Sequence, residues 1–137
     1  MAFWLKPVGD SKRPQPDDWI SEHEDWRRKY GEVAAFPRNR RPSGIKVGDT
    51  LIYYAAGSPK VFGEGRVMAV ANVTGEPELR GSEQWPWVLA VELRHVSPLL
   101  SQAPTLSDID VDPKSVRRQS HIRLSDEQGR RAVELIG

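Results

Sequence analysis

The sequence predicts an α+β domain built on a strongly bent, mostly antiparallel sheet with helices at its margin, and three observations carry that expectation. Two β-rich runs, Asp49–Ala56 (DTLIYYAA) and Val61–Val73 (VFGEGRVMAVANV), are separated only by Gly57-Ser58-Pro59-Lys60, a hairpin-length connection. A third run, Trp87–Val96 (WVLAVELRHV), alternates, with Trp87, Leu89, Val91 and Leu93 on the expected core face and Val88, Ala90, Glu92 and Arg94 opposite. Gly63 and Gly65 interrupt the second run, which predicts a bend or a close backbone approach there.

The remaining elements follow in chain order. Ala2–Pro7 (AFWLKP) reads as a short strand closed by Pro7 and the Gly9-Asp10 turn signal. Asp17–Lys29 reads as a helix, with Asp17-Asp18 at its head and Arg27-Arg28-Lys29 at its tail, an order that complements the helix dipole. Trp19, Ile20, His23 and Trp26 share one face of it, and Gly31 is a natural stop. Glu32–Lys46 has no periodicity and is rich in arginine, proline and glycine, so it reads as one long, functional loop. Pro98–Pro113 is irregular, with one helical turn expected at Thr105–Ile109. Ser125 and Gln128 have capping-box spacing ahead of Ala132, Val133, Leu135 and Ile136, the apolar surface of a closing helix.

The 137 residues suit a single domain spanning 1–137. Twenty Lys and Arg against 19 Asp and Glu leave a net charge of +1, so no overall basic field exists and any nucleic-acid contact must be local. There is no cysteine, which excludes disulfides, thiol nucleophiles and thiolate metal sites. No run approaches the roughly 18 apolar residues of a membrane span, and no signal pattern opens the chain, so the cytoplasm is the expected location.

Catalytic signatures are missing: no phosphate-cradling glycine loop, no nucleophile elbow, no histidine pair at metal spacing. An enzyme, a cofactor and a metal are therefore not expected. His23, His95 and His121 are far apart and read as surface or helix-packing residues. The acidic cluster Asp17, Asp18, Glu22, Glu24 and Asp25 lacks the glycine and terminal glutamate of a calcium loop and reads as a solvated helix face.

The positive signal is aromatic. Five tryptophans in 137 residues are roughly three times the average usage of about 1%. Trp4 and Trp87 read as core, whereas Trp26 and Trp85 read equally as core or as walls of a cleft. Trp85-Pro86-Trp87 brings two of the rings to one strand entrance. Beside such a cleft, Arg38-Asn39-Arg40-Arg41 supplies cations for phosphate and an amide that can read a base edge. Aromatic rings suit a flipped or single-stranded base because every base has a π-face.

The opening AFWLKP, the Arg38-Asn39 pair, Lys46-Val47-Gly48-Asp49 before LIYYAA, the WVLAVEL strand and Ile122-Arg123-Leu124-Ser125 resemble, in order, the EVE domain of the PUA-like superfamily. The resemblance runs from Phe3 to Ile136. It implies a PUA-like pseudo-barrel related to the YTH domains, and a reader of modified nucleobases in DNA or RNA. By the same resemblance Trp4 and Lys6 lie on the strand of the base pocket, Arg38 and Asn39 on its loop, and Tyr54 and Ala55 on its floor. This chain has Val33-Ala34-Ala35-Phe36-Pro37 where the family often has Trp-Asp-Gly-Val, and it lacks the Gly-x-Lys-x-x-Glu-x-Arg motif of the ASCH relatives.

The candidate base contacts are thus Trp4, Trp26, Asn39, Tyr54, Ala55 and Trp85. Candidate phosphate contacts are Lys6, Arg38, Arg40, Arg41 and Arg123. The partner expected is a nucleic acid. Two alternatives stand beside it: a small nucleotide- or nucleic-acid-processing enzyme using His121 or His23 in the same cleft, and a protein-interaction module anchored by the tryptophans.

Overall fold

Thr50–Ala55 (TLIYYA) is apolar without alternation, the pattern of a strand covered on both faces, and it forms the centre of the structure. The computed structural model describes residues 2–8, 15–19, 33–36, 44–57, 60–72, 87–116 and 121–137. Its strands are β1 (Phe3–Val8), β2 (Val33–Phe36), β3 (Thr50–Ala55), β4 (Lys60–Asn72), β5 (Trp87–Val96) and β6 (Ile122–Leu124), followed by the helix α1 (Asp126–Ile136). They make one sheet in the order β2-β5-β4-β3-β1-β6. Only β1 and β3 run parallel; every other neighbouring pair is antiparallel.

Period-two alternation sends the side chains of β1 and β3 into two separate cores. Trp4, Val8, Leu51, Tyr53 and Ala55 join Phe62, Val67, Leu89 and Val91 on one face. Leu5, Ile52 and Tyr54 join Val61, Leu106, Ile109, Leu124 and Ala132 on the other. The expected hairpin between β3 and β4 is present and antiparallel. Its sheet is bent by register shifts at Tyr53/Tyr54, Glu64/Gly65 and Val67/Ala69. A side chain at Gly65 would come within 2.6 Å of the Glu92 carbonyl oxygen, the close backbone approach that its glycine anticipates.

The structure corrects several expectations. Val33–Phe36 is a strand, not part of a loop, and pairs with Ala90 to Trp87 of β5. Four residues are too few to show a period, and the pairing edge is supplied by β5. Ile122–Leu124 is likewise a strand, paired to the free side of β1. On β5, Leu89 and Val91 are buried as expected, but so is Val88 of the opposite face. Val88 is flanked on both sides, by Ala35 of β2 and Ala71 of β4.

Of the expected helix 17–29 only residues 17–19 are described. Asp17 is not merely a solvated charge: its carbonyl accepts from Leu100 N–H at 2.9 Å and its carboxylate from Ser101 N–H at 2.6 Å. Trp19 packs edge-on against Phe62, ring centroids 5.8 Å apart. The irregular stretch holds three short 3-10 turns, at Leu100–Gln102, Ser107–Ile109 and Pro113–Val116.

The capping box of α1 forms: Gln128 N–H donates to Ser125 Oγ at 3.1 Å, and Ser125 N–H donates to Gln128 Oε1 at 3.0 Å. Ala132 and Gly129 face the sheet, while Leu135, expected on the apolar surface, is 44% exposed. Gly129 presses on Phe3, whose ring occupies the space a side chain there would need. Glycine to alanine in a helix ordinarily gains about 1 kcal/mol. Here Gly129→Ala should instead cost about 2 kcal/mol by overpacking. Urea denaturation will read this as a lower midpoint at unchanged slope, with Arg130→Ala as the neutral control.

Candidate functional site

Residues 46–49 make a tight turn in which Asp49 N–H donates to the Lys46 carbonyl at 3.0 Å. Gly48 has φ +95°, a conformation that glycine adopts without steric cost. The turn places the buried Asp49 carboxylate where three donors converge. Ala2 N–H reaches Oδ1 at 3.0 Å, while Lys46 N–H at 2.9 Å and the Trp4 indole N–H at 3.0 Å reach Oδ2. Burial alone would push the Asp49 carboxyl up, but these hydrogen bonds outweigh it and hold the carboxyl below its ordinary range. Asp49 is therefore a fixed anion that orients the Trp4 ring.

The ring so oriented meets two side chains from the β6 edge. Trp4 is the register partner of Arg123, and the Arg123 guanidinium carbon lies 5.6 Å from the indole centroid. His121 packs against the same ring at 5.5 Å with a 50° tilt. At the ring's outer edge sits Gly44, φ +87°, where a side chain would come within 2.9 Å of Trp4 Cη2. Trp4 is 8% exposed, so its surroundings cover most of the ring.

Five of the sequence-derived candidates are described, and the structure brings only some of them together. Trp4 and Arg123 are in contact. Lys6 and Ala55 share the Trp4 face, but Ala55 is fully buried and Lys6 is inside, not on the surface. Tyr54 does not belong to that face. It follows Tyr53 in the strand and so points into the opposite core, on the α1 side of the sheet. Trp26, Asn39, Trp85, Arg38, Arg40, Arg41 and His23 lie outside the described residues.

Lys6 Nζ donates to the Pro7 carbonyl at 3.3 Å, and burial pulls its ammonium down to about 8. Tyr53, its register partner, and Tyr54 are pushed up by burial, Tyr54 to about 12. Both phenols stay neutral at ordinary pH.

Sequence reasoning pointed to His121 only as an acid or base of the enzymatic alternative, and not to Asp49 as a site residue. The signal for His121 was present: once His121-Ile122-Arg123-Leu124 is read as a strand edge, residues 121 and 123 fall on one face. It also missed a second polar centre. Glu64 is fully buried, and Arg94 donates to its Oε2 from Nε at 3.0 Å and Nη2 at 2.5 Å. His95 Nδ1 lies 2.7 Å from Oε1. Both neighbours reach one carboxylate because Arg94 is the extra residue of the bulge between Glu64/His95 and Gly65/Leu93. The enzymatic alternative required a histidine beside a carboxylate, and His95 meets that condition at Glu64. Glu64 is the register partner of Ile52, which places this centre on the opposite face from Trp4. Among the described residues no group of three potential ligands could hold a metal.

Neither a family model nor a curated protein matches the sequence. Solved structures do match in fold. The YTH domain-containing protein mmi1, solved in complex with RNA, aligns over 98% of this chain and 80% of its own, with a TM-score of 0.61 and 12% identity. Protein Atu2648 from Agrobacterium tumefaciens aligns over 100% and 94%, with a TM-score of 0.57 and 18% identity. An ASCH protein from Zymomonas mobilis aligns over 99% and 96%, with a TM-score of 0.52 and 15% identity. The chain has the PUA-like fold, an α+β arrangement around a bent, mostly antiparallel sheet.

Two outcomes follow from these charges. Asp49→Ala strands one buried and two half-buried donors and should cost about 3 kcal/mol at pH 7. Because the folded carboxyl is held low, its contribution is present above the unfolded value of about 3.9 and is lost as pH falls through the folded one. The gap between the two proteins in urea melts should therefore narrow in acid. Lys6 has the opposite consequence: with the folded value near 8 and the unfolded value at 10.5, the unfolded chain holds more protons in between. Wild-type stability should rise over that window, by up to about 3 kcal/mol, relative to Lys6→Met. Parallel curves for the two proteins from pH 7 to 10 would contradict it.

Proposed function

We propose that this chain is a non-catalytic nucleic-acid-binding module of the EVE type that holds a flipped or single-stranded nucleobase, modified for example by methylation, beside a basic segment. The observation that carries the reading is the Trp4 assembly: an indole fixed by Asp49, with Arg123 over the ring and His121 against it. The exposed Arg123 offers a phosphate a cation, and a base that displaces it from the nearly covered indole would gain stacking worth about 1–3 kcal/mol.

Gly44 touches that ring, and Arg41 is three residues before it in the chain. The arginine segment Arg38-Asn39-Arg40-Arg41 supplies the candidate phosphate contacts, and Trp26 and Trp85 are the further aromatic candidates. The fold shared with the RNA-bound YTH domain of mmi1 supports the same reading. With a net charge of +1, binding rests on these few local cations.

The test is a low-salt titration against single-stranded DNA and RNA oligonucleotides with and without one methylated or hydroxymethylated base. Binding is expected, with preference for one modified form. Arg123→Ala, a change at an exposed side chain, should weaken it about tenfold without altering the fold. Failure of every oligonucleotide to bind would sink the reading.

A further inference from the structure

We propose that the 46–49 turn and the adjoining bulge of β4 form an apolar wedge that enters a nucleic-acid duplex, so that the substrate is a paired base extruded from a double strand. The inference rests on the base-binding reading above and adds the class of nucleic acid.

Val47 and Met68 are two of the three large hydrophobic residues left exposed among the described residues, at 63% and 47%. Both stand on the same rigid ledge. Gly48 N–H donates to the Val67 carbonyl at 2.8 Å and Val67 N–H donates to the Asp49 carbonyl at 2.8 Å, so Val47 and Met68 each adjoin this double bridge. Met68 is the unpaired residue of the bulge between the pairs Val67/Val91 and Ala69/Ala90. The turn itself is pinned by the Asp49 carboxylate on Lys46 N–H, the same carboxylate that fixes Trp4. The apolar tip and the aromatic site are two ends of one hydrogen-bonded unit.

The flanking charge selects the occupant. Lys46 precedes Val47 and Arg66 lies two residues before Met68, both exposed and neither in an ion pair among the described residues. Cations bracketing apolar tips suit a surface with phosphates outside and base steps inside. Extruding a base costs a few kcal/mol in lost stacking and leaves a gap in the duplex. A rigid apolar side chain fills such a gap with little further loss of entropy. A single strand leaves no gap, so it needs the Trp4 site alone.

The discriminating protein is the double variant Val47→Ser, Met68→Ser, two exposed positions whose replacement leaves stability within about 0.5 kcal/mol. The probes are one oligodeoxynucleotide carrying a single 5-methylcytosine next to 2-aminopurine, used as a single strand and as a duplex. Wild type should bind both and raise 2-aminopurine fluorescence in the duplex. The variant should lose about tenfold in duplex affinity, together with the fluorescence rise, and bind the single strand as wild type does. Equal loss on both probes, unchanged duplex binding by the variant, or wild-type binding to the single strand only would each overturn the wedge. Wild type binding neither probe would overturn the base-binding reading, and the wedge with it.

Discussion

The Asp49 carboxylate is the constraint on which the rest depends. A parallel pair such as β1/β3 cannot be closed by a tight hairpin, so its register has to be fixed from outside the ladder. Asp49 does this at the first residues of both strands: it accepts from Ala2 ahead of β1, while Thr50 N–H donates to the Ala2 carbonyl at 2.9 Å. The same oxygen pair closes the turn through Lys46 and aims Trp4. One slip of register would exchange the two cores, because each residue of β1 and β3 belongs to the face opposite that of its neighbour.

A buried anion of this kind is tolerated only where donors surround it. Glu64 repeats the solution four residues into the neighbouring strand β4, with a guanidinium and an imidazole in place of amides. Arg94 also donates to Thr50 Oγ1 at 3.1 Å, which ties the Glu64 centre to the residue beside Asp49. The two buried carboxylates thus anchor adjacent residues at the start of β3, one from each face of the sheet. The bulge at Arg94 is what makes room for that arrangement.

The central hairpin, the capping box and the glycine bends were legible in the sequence because each is a local signal: alternation, a fixed offset, or a residue without a side chain. What was not legible depends on partners distant in the chain. VAAF becomes β2 only because β5 offers it an edge, and Ile122–Leu124 becomes β6 only because β1 does. The misplacement of Tyr54 has the same origin. Tyr53 and Tyr54 are equivalent in composition, and only the register with β1 decides which of them shares the Trp4 face. Arg94 looked like an exposed alternating charge, and a bulge lets it reach the buried carboxylate of Glu64.

The chain's near-neutral charge follows from the same economy. Its acids at Asp49 and Glu64 are buried in structural roles and each is already matched by protein donors, so they repel an approaching polyanion less than a simple count suggests. The cations around Trp4, by contrast, are on the outside: Arg123 and Lys46 are exposed. With Asp49 and Glu64 matched internally, the exposed Arg123 and Lys46 leave local positive charge near Trp4 without a positive protein. Since Trp4 is held by Asp49 before any ligand arrives, little ordering entropy is left to be lost at the ring on binding. The rigidity that fixes the register is therefore also the preorganisation of the site.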